Sequence, residues 1–327
     1  MKLILRILAG IALLLIVLVF YVFLAWNKKY DAPYPEIQSS SDSAIIARGK
    51  YLAFGPAHCV TCHVPMDKIM EVENGLEIPL SGGWELAFPG FGVFRAPNIT
   101  PDGETGIGKL SDGEIARTLR HAVGSDGRVI MPFMPFQEMS DDDLAAIISF
   151  LRSQEPVKNA VKPTEYDFMA KALLAFGILK PEGAKNTPPK TMLKDSTAEY
   201  GKYLAFNIAN CRGCHTKMDP NTGKFVGEDF AGGEKFGPDA FSEGYVFVSP
   251  NITSDKTTSA IAKWTEDAFV ARFGAGRIHK TTPMPWGAFS RMDETDLKAL
   301  YRFLQTTKPV ANKIEKTVYA PDEKAPK

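Results

Sequence analysis

The chain has four cysteines, and all of them fall in two copies of one pentapeptide, Cys59-Val60-Thr61-Cys62-His63 and Cys211-Arg212-Gly213-Cys214-His215. Two thiols one helical turn apart, followed at once by a histidine, have the order needed to attach a haem. The thiols add to its two vinyl groups, and the next residue's imidazole lies beneath the ring and ligates iron. Two covalently bound haem c groups are therefore expected, held by Cys59, Cys62, Cys211 and Cys214, with His63 and His215 on the irons. A zinc site would want its second cysteine pair roughly 12 to 20 residues from the first, and here well over a hundred residues intervene. A redox dithiol would be expected after a strand in a βαβ unit, which the surrounding sequence does not suggest.

A repeat shows which elements must position these groups. Gly49-Lys-Tyr-Leu-Ala-Phe54 recurs as Gly201-Lys-Tyr-Leu-Ala-Phe206, each five residues before its first motif cysteine. Pro97-Asn98-Ile99-Thr100 matches Pro250-Asn251-Ile252-Thr253, Met134-Pro135-Phe136 matches Met284-Pro285-Trp286, and Pro156-Val157 matches Pro309-Val310. The offset stays between 150 and 153 residues, as duplication of one haem-binding unit requires. Two domains are expected, residues 40–155 and 195–312, joined by a linker at 156–194 that holds a short helix and followed by an extended polar tail at 313–327.

The pattern inside each unit is helical. Leu144, Ile147, Ile148 and Leu151 fall at i, i+3, i+4 and i+7, and Leu297, Leu300, Tyr301 and Leu304 repeat that spacing, which gives each final helix one apolar face. Ser140 with Asp143 and Asp293 with Asp296 supply cap-like starts, and Ser111 with Glu114 reads as a capping box for a middle helix. The segments from about Ser43 and Ser196 also read as helices, and their glycines permit close approach by another helix. Long Gly, Pro and Asn-rich stretches follow each motif, from about Met66 to Lys109 and from Lys217 to Lys263. Loops of that length need a large cofactor to pack against.

Ahead of the repeat, residues 1–29 read as an uncleaved anchor. After Lys2 and Arg6 the chain carries no charge from Ile7 to Ala25, enough at 1.5 Å per residue to span roughly 30 Å of bilayer core. The run exceeds the apolar stretch of a cleaved signal and lacks a small-x-small site after it. Haem is attached to c-type proteins outside the cytoplasmic membrane, which puts the bulk of the chain on the periplasmic face.

These features together resemble the class I cytochrome c family, in which a helix precedes Cys-x-x-Cys-His, a final helix crosses the first, and a methionine between them is the second axial ligand. Arg48-Gly-Lys-Tyr-Leu52, the Pro-Asn-Ile-Thr loops, Asp102-Gly-Glu-Thr-Gly-Ile-Gly108 and the Met-Pro-aromatic turns are similar to bacterial membrane-anchored dihaem cytochromes, including the cytochrome subunits of alcohol and gluconate dehydrogenases. Those subunits usually carry three haems, against two motifs here. The resemblance implies an all-α fold of two tandem cytochrome c domains behind a single transmembrane helix. Of Met131 and Met134, only Met134 has a counterpart, Met284, when the copies are aligned. A thioether between prolines suits haem iron, and Met134 and Met284 are the expected sixth ligands.

Other candidates draw plainer readings. Met66, Met70, Met139, Met218 and Met292 are expected in the core, the pair Met139 and Met292 as hydrophobic staples. His58 reads as a polar surface or haem-edge residue, His121 and His279 as solvent-facing or locally bonded. Asn98 and Asn251 suit a turn or a haem propionate, and Arg95 a propionate. Residues 30–155 hold 18 acidic and 9 basic side chains, residues 195–311 hold 14 of each, so the first domain is the acidic one and a basic partner is expected to meet it. The linker carries seven lysines against three acids, and its apolar helix is expected to clamp the two domains together, with the membrane surface or a larger complex as the other faces it could meet.

The function implied is electron transfer, from a quinol-oxidising complex or a dehydrogenase through two haems to an oxidase or a soluble carrier, with no catalytic residue and no nucleic-acid partner. A dihaem peroxidase would need one five-coordinate iron, against which two matching Met-Pro-aromatic turns argue. A dihaem enzyme with a cysteine thiolate ligand would need a fifth cysteine.

Overall fold

A computed structural model describes residues 1–219, 223–239 and 241–326. A lone apolar helix, α1 (Lys2–Ala25), leads the chain. The first copy of the repeat folds as α2 (Ser43–Phe54), α3 (Ile69–Glu73), α4 (Asp112–His121) and α5 (Asp141–Ser153). After α6 (Phe168–Ala175), the second copy folds as α7 (Ala198–Tyr203, continued by a π turn over Leu204–Ile208), α8 (Cys211–His215), α9 (Glu266–Gly274), α10 (Trp286–Phe289) and α11 (Glu294–Thr306).

In each copy the first helix crosses the last, and a glycine sets the crossing. A Cβ built on Gly49 would lie 1.8 Å from the Ala146 carbonyl oxygen, and one on Gly201 would lie 1.9 Å from that of Ala299. No side chain fits between these backbones. The apolar stripes point as their spacing predicts: Leu144, Ile147, Ile148 and Leu151 are buried, as are Leu297, Leu300 and Leu304. Tyr301 is half-buried and donates its hydroxyl to the Trp264 carbonyl at 2.7 Å. The caps form as read. Ser140 accepts from the Asp143 amide, Asp293 accepts from that of Asp296, and the Ser111–Glu114 capping box closes in both directions.

The fold is mostly helical, yet the long loops are not without regular structure. Each contains two strands of a small antiparallel sheet, and each sheet takes its third strand from chain outside the repeat. β1 (Glu85–Phe88), β2 (Gly92–Arg95) and β3 (Glu165–Tyr166) form one in that order; β4 (Lys235–Phe236), β5 (Val246–Val248) and β6 (Val318–Tyr319) form the other. The start of the linker and part of the polar tail are thus structural parts of the two copies. Buried and half-buried residues alternate along β2, the period of a strand with one face more covered than the other.

The copies share one continuous apolar cluster. Around it a polar seam crosses from one to the other. The Tyr51 hydroxyl donates to Asp296, the Tyr203 hydroxyl to Asp143, and Arg48 pairs with Asp143 and also reaches the Tyr200 hydroxyl. The Asp141–Asp143 run is not a free acidic patch, because Asp141 pairs with Arg120, Asp142 accepts from Thr191, and Asp143 is buried in this seam. The linker helix does not clamp the two copies as expected; α6 packs against the C-terminal end of α1.

Candidate functional site

Both histidines are held by the same device. The residue before each first cysteine, His58 and Asn210, adopts a left-handed backbone (φ 41° and 51°), which turns the chain sharply out of the preceding helix. One helical turn then carries the motif: the His63 amide donates to the Cys59 carbonyl at 2.9 Å, and in the second copy Cys211–His215 is the helix α8 itself. His63 Nδ1 lies 2.9 Å from the Pro97 carbonyl oxygen, and His215 Nδ1 lies 3.0 Å from that of Pro250. A carbonyl only accepts, so Nδ1 carries the proton and donates. Burial lowers both imidazole pKa values below the usual range, which keeps the rings neutral. Nε2 therefore presents a lone pair, the state a metal-ligating histidine needs.

A glycine in each loop makes that geometry possible. Gly82 (φ 73°) donates its amide to the His63 carbonyl and lies against Pro97, where a Cβ would come within 2.4 Å of backbone; Gly232 (φ 73°) does the same for His215 and Pro250. Both residues are missing from the sequence reading, although the matched pairs Gly82-Gly83 and Gly232-Gly233 were the available signal.

The four cysteines are unpaired. Burial pushes the thiols of Cys59 and Cys211 up to about 12, so neither is a thiolate at neutral pH, unlike the cysteines of a reactive dithiol or a zinc site. The donor set of each copy, two neutral thiols beside a neutral imidazole with a free Nε2 at the edge of an apolar cluster, fits covalent haem attachment.

Met134 and Met284 occupy equivalent places. Each is half-buried and packs on the apolar cluster, whereas Met131 is half-buried but does not join that packing. Met139 and Met292 are buried directly before the N-caps of α5 and α11, as staples should be. Met66 and Met70 depart from the core reading: they are exposed on the short helical segment after the first motif, where the chain runs along the surface. Met218 is half-buried.

Asn98 and Asn251 take the turn role, one of their two readings, and Arg95 is engaged within the protein. Asn98 accepts from the Thr100 amide and hydroxyl and donates to the Val157 carbonyl at 2.7 Å and to Thr105; Asn251 repeats this with Thr253, Val310 at 2.8 Å and Thr258. Each asparagine ties the loop behind its histidine to the chain leaving the last helix, at the recurring Pro-Val dipeptide. Arg95 is bound between Glu85, Glu165 and the Pro163 carbonyl. His121 is half-buried at the end of α4 beside Gly183 of the linker, and His279 lies edge-on to Tyr245 and Phe247.

The two sites adjoin across the junction. The His58 ring meets Phe289 of α10 edge-on at 5.6 Å, five residues beyond Met284. Trp84, two residues past Gly82, stacks on Phe241 of the second copy at 5.6 Å. Beside them, buried Glu73 of α3 pairs with Arg277 at 2.8 Å and accepts from the Gly287 amide at 3.0 Å.

No protein-family model matches the chain. It is 27% identical over 302 residues to the gluconate 2-dehydrogenase cytochrome c subunit of Pantoea cypripedii, covering 88% of this chain and 64% of that one. It is 27% identical over 289 residues to the cytochrome c subunit of the quinone alcohol dehydrogenase of Gluconacetobacter polyoxogenes, covering 83% and 57%. A diheme cytochrome c-type protein of Cereibacter sphaeroides is 28% identical over 214 residues, 64% of this chain and 68% of that one. The chain thus spans less than two thirds of the length of the two dehydrogenase subunits. Fold, site and relatives agree on the cytochrome c class as the one this chain resembles.

Proposed function

We propose that this chain is an electron-transfer protein with two covalently bound haem c groups in tandem cytochrome c domains, residues 40–155 and 195–312, tethered by α1 to the periplasmic face of a bacterial cytoplasmic membrane. The observation that carries it is the twofold occurrence of a neutral histidine with Nδ1 fixed on a proline carbonyl, one turn after a thiol pair. Cys59 and Cys62 hold one haem and Cys211 and Cys214 the other; His63 and Met134 ligate the first iron, His215 and Met284 the second. Haem c, when bound, supplies a one-electron ferrous–ferric couple. The chain's part is to hold both axial positions, which leaves no open site for substrate, and to keep the two sites adjacent through His58, Phe289, Trp84 and Phe241. A quinol-oxidising complex or a dehydrogenase is the donor, an oxidase or a soluble carrier the acceptor.

The test is haem stoichiometry followed by ligand replacement. Purified protein should contain two haems per chain, resistant to acid–acetone extraction, and a methionine-to-iron charge-transfer band. Met134→Ala and Met284→Ala should each remove about half of that band while both haems stay attached. One haem per chain would sink the dihaem reading; an unchanged band in both variants would place the sixth ligands elsewhere.

A further inference from the structure

The linker helix α6 has a place in the fold that electron transfer does not explain. Three ring pairs join α6 and the residues flanking it to the end of α1: Trp26 with Tyr166 of β3 at 5.8 Å, Phe23 with Phe168 at 6.2 Å, and Tyr21 with Phe176 at 5.4 Å. The Tyr21 hydroxyl also donates to the Ala175 carbonyl, and Val22 is buried. The pairs run in opposite order along the two helices, so α6 descends beside α1 from its outer end toward its middle. At Gly177 (φ 67°) the chain turns, with the Ile178 and Leu179 amides both donating to the Leu173 carbonyl. It then leaves at Lys180.

The outward side of this element is apolar. Phe168, Met169 and Phe176 are about half exposed and Ile178, at the tip of the turn, is 67% exposed. Phe168, Met169 and Phe176 fall within one arc of the helix at 100° per residue. Cations border them: Lys28 and Lys29 follow α1, and the Lys171 ammonium stands over the Phe23 and Trp26 rings at 5.6 and 5.4 Å.

We infer that α6 and its Gly177 turn form a second membrane element, an interfacial helix immersed in the outer leaflet of an anionic bilayer beside α1, with Ile178 deepest. The inference rests on α1 being a membrane span. Continuity with α1 fixes the occupant. Trp26 and Tyr21 mark the level at which an apolar span leaves the hydrocarbon, and their separation of five positions corresponds to about 7.5 Å of depth at 1.5 Å per residue. An interfacial helix lies roughly 5–10 Å into the headgroup and acyl boundary. Lys28 and Lys171 hold their ammonium groups over aromatic rings and Lys29 pairs with Asp126 at 3.2 Å, which places three cations at the level where lipid phosphates lie. Two contacts with the bilayer, where a lone helix could swivel, fix how the haem-bearing copies face the membrane.

The experiment uses the full-length haem-loaded protein in nanodiscs of phosphatidylethanolamine and phosphatidylglycerol. Nitroxides are placed on Leu13→Cys, Met169→Cys, Ile178→Cys and, as an exposed site in the second copy, Ile278→Cys; native cysteines are occupied by thioether bonds. Power-saturation electron paramagnetic resonance then compares accessibility to oxygen and to a water-soluble nickel chelate. The oxygen-to-nickel ratio should be several-fold higher at Met169 and Ile178 than at Ile278, and higher at Ile178 than at Met169. Ratios at Met169 and Ile178 equal to that at Ile278, with Leu13 in lipid, overturn the inference and leave the anchor standing. A water-exposed Leu13 overturns the anchor itself, and this inference with it.

Discussion

The Tyr51 hydroxyl reaches across the junction to Asp296 Oδ2 at 2.7 Å, and its counterpart returns the bond, Tyr203 to Asp143 Oδ2 at 2.8 Å. Each tyrosine lies on the first helix of one copy, each aspartate in the first turn of the last helix of the other. Each phenol oxygen also accepts a backbone amide at the N-cap of the partner helix, Asp293 for Tyr51 and Ser140 for Tyr203. The junction is thus a pseudo-twofold seam, and its symmetry breaks in the cations, where Arg48 serves Asp143 and Lys194 serves Asp296.

Tyr51→Phe and Tyr203→Phe should each destabilise the protein by about 1.5–3 kcal/mol, the range for a hydrogen bond to a charged group. Tyr203→Phe should be the costlier, because it strands the amide of Ser140, which is buried, whereas Asp293 is exposed and its amide can turn to water. Denaturant unfolding followed by haem absorbance measures both. Equal stability of wild type and both variants would show that the seam contributes nothing net.

At the helix crossings, Gly49→Ala and Gly201→Ala should each cost about 1–3 kcal/mol or more, since the added methyl meets backbone and forces the helices apart. Thermal melts would show it. The equivalent change at Gly10, which has open space around its Cβ position, should leave the melting temperature of the two copies unchanged.

Asp296 gives a pH dependence of definite sign. Burial holds its pKa above the usual carboxylate range, against the opposing pull of Tyr51 and Lys194. As pH rises from the ordinary carboxyl pKa toward that raised value, the unfolded state releases its proton first, so folding stability contributed by this group falls with rising pH. Asp296→Asn cannot ionise. Its stability relative to wild type should therefore increase from pH 4 to pH 7, with unfolding free energies compared at each pH. A constant difference would mean that Asp296 titrates normally in the folded chain.

The acidity of the first copy should steer small redox reagents. With 18 acidic and 9 basic side chains over residues 30–155, a cationic ruthenium ammine should react faster than a comparable anion at low salt, and added salt should bring the two rates together. Rates that ignore reagent charge and ionic strength would remove the expectation of a basic partner.

The legible part of this protein lay in short-range pattern. Two Cys-x-x-Cys-His motifs point to haem attachment because that chemistry needs those side chains within one helical turn, and 3.6-residue periodicity with a capping residue suffices to place α4, α5 and α11. The internal repeat extended that reach: it singled out Met134 and Met284, which the fold then sets at equivalent edges of the apolar cluster. It also holds the Gly-Gly pairs at 82 and 232, and a Tyr and Asp that recur at 51 and 203, 143 and 296, where repeat and cap patterns give no hint of the bond between copies.

Tertiary structure alone decided what depends on partners far apart in the chain. Tyr51 finds Asp296 across 245 residues, and nothing local to either residue names the other. β3 and β6 take shape only because an unpaired sheet edge is near, so short segments that read as linker and tail became strands. The turns at Asn98 and Asn251 were open to local reading, but not their reach to the Val157 and Val310 carbonyls, nor the hold of Glu85, Glu165 and the Pro163 carbonyl on Arg95. The sequence of α6 announced an apolar helix but not the surface it would meet. That choice depends on packing free energy between faces, which no spacing along the chain encodes.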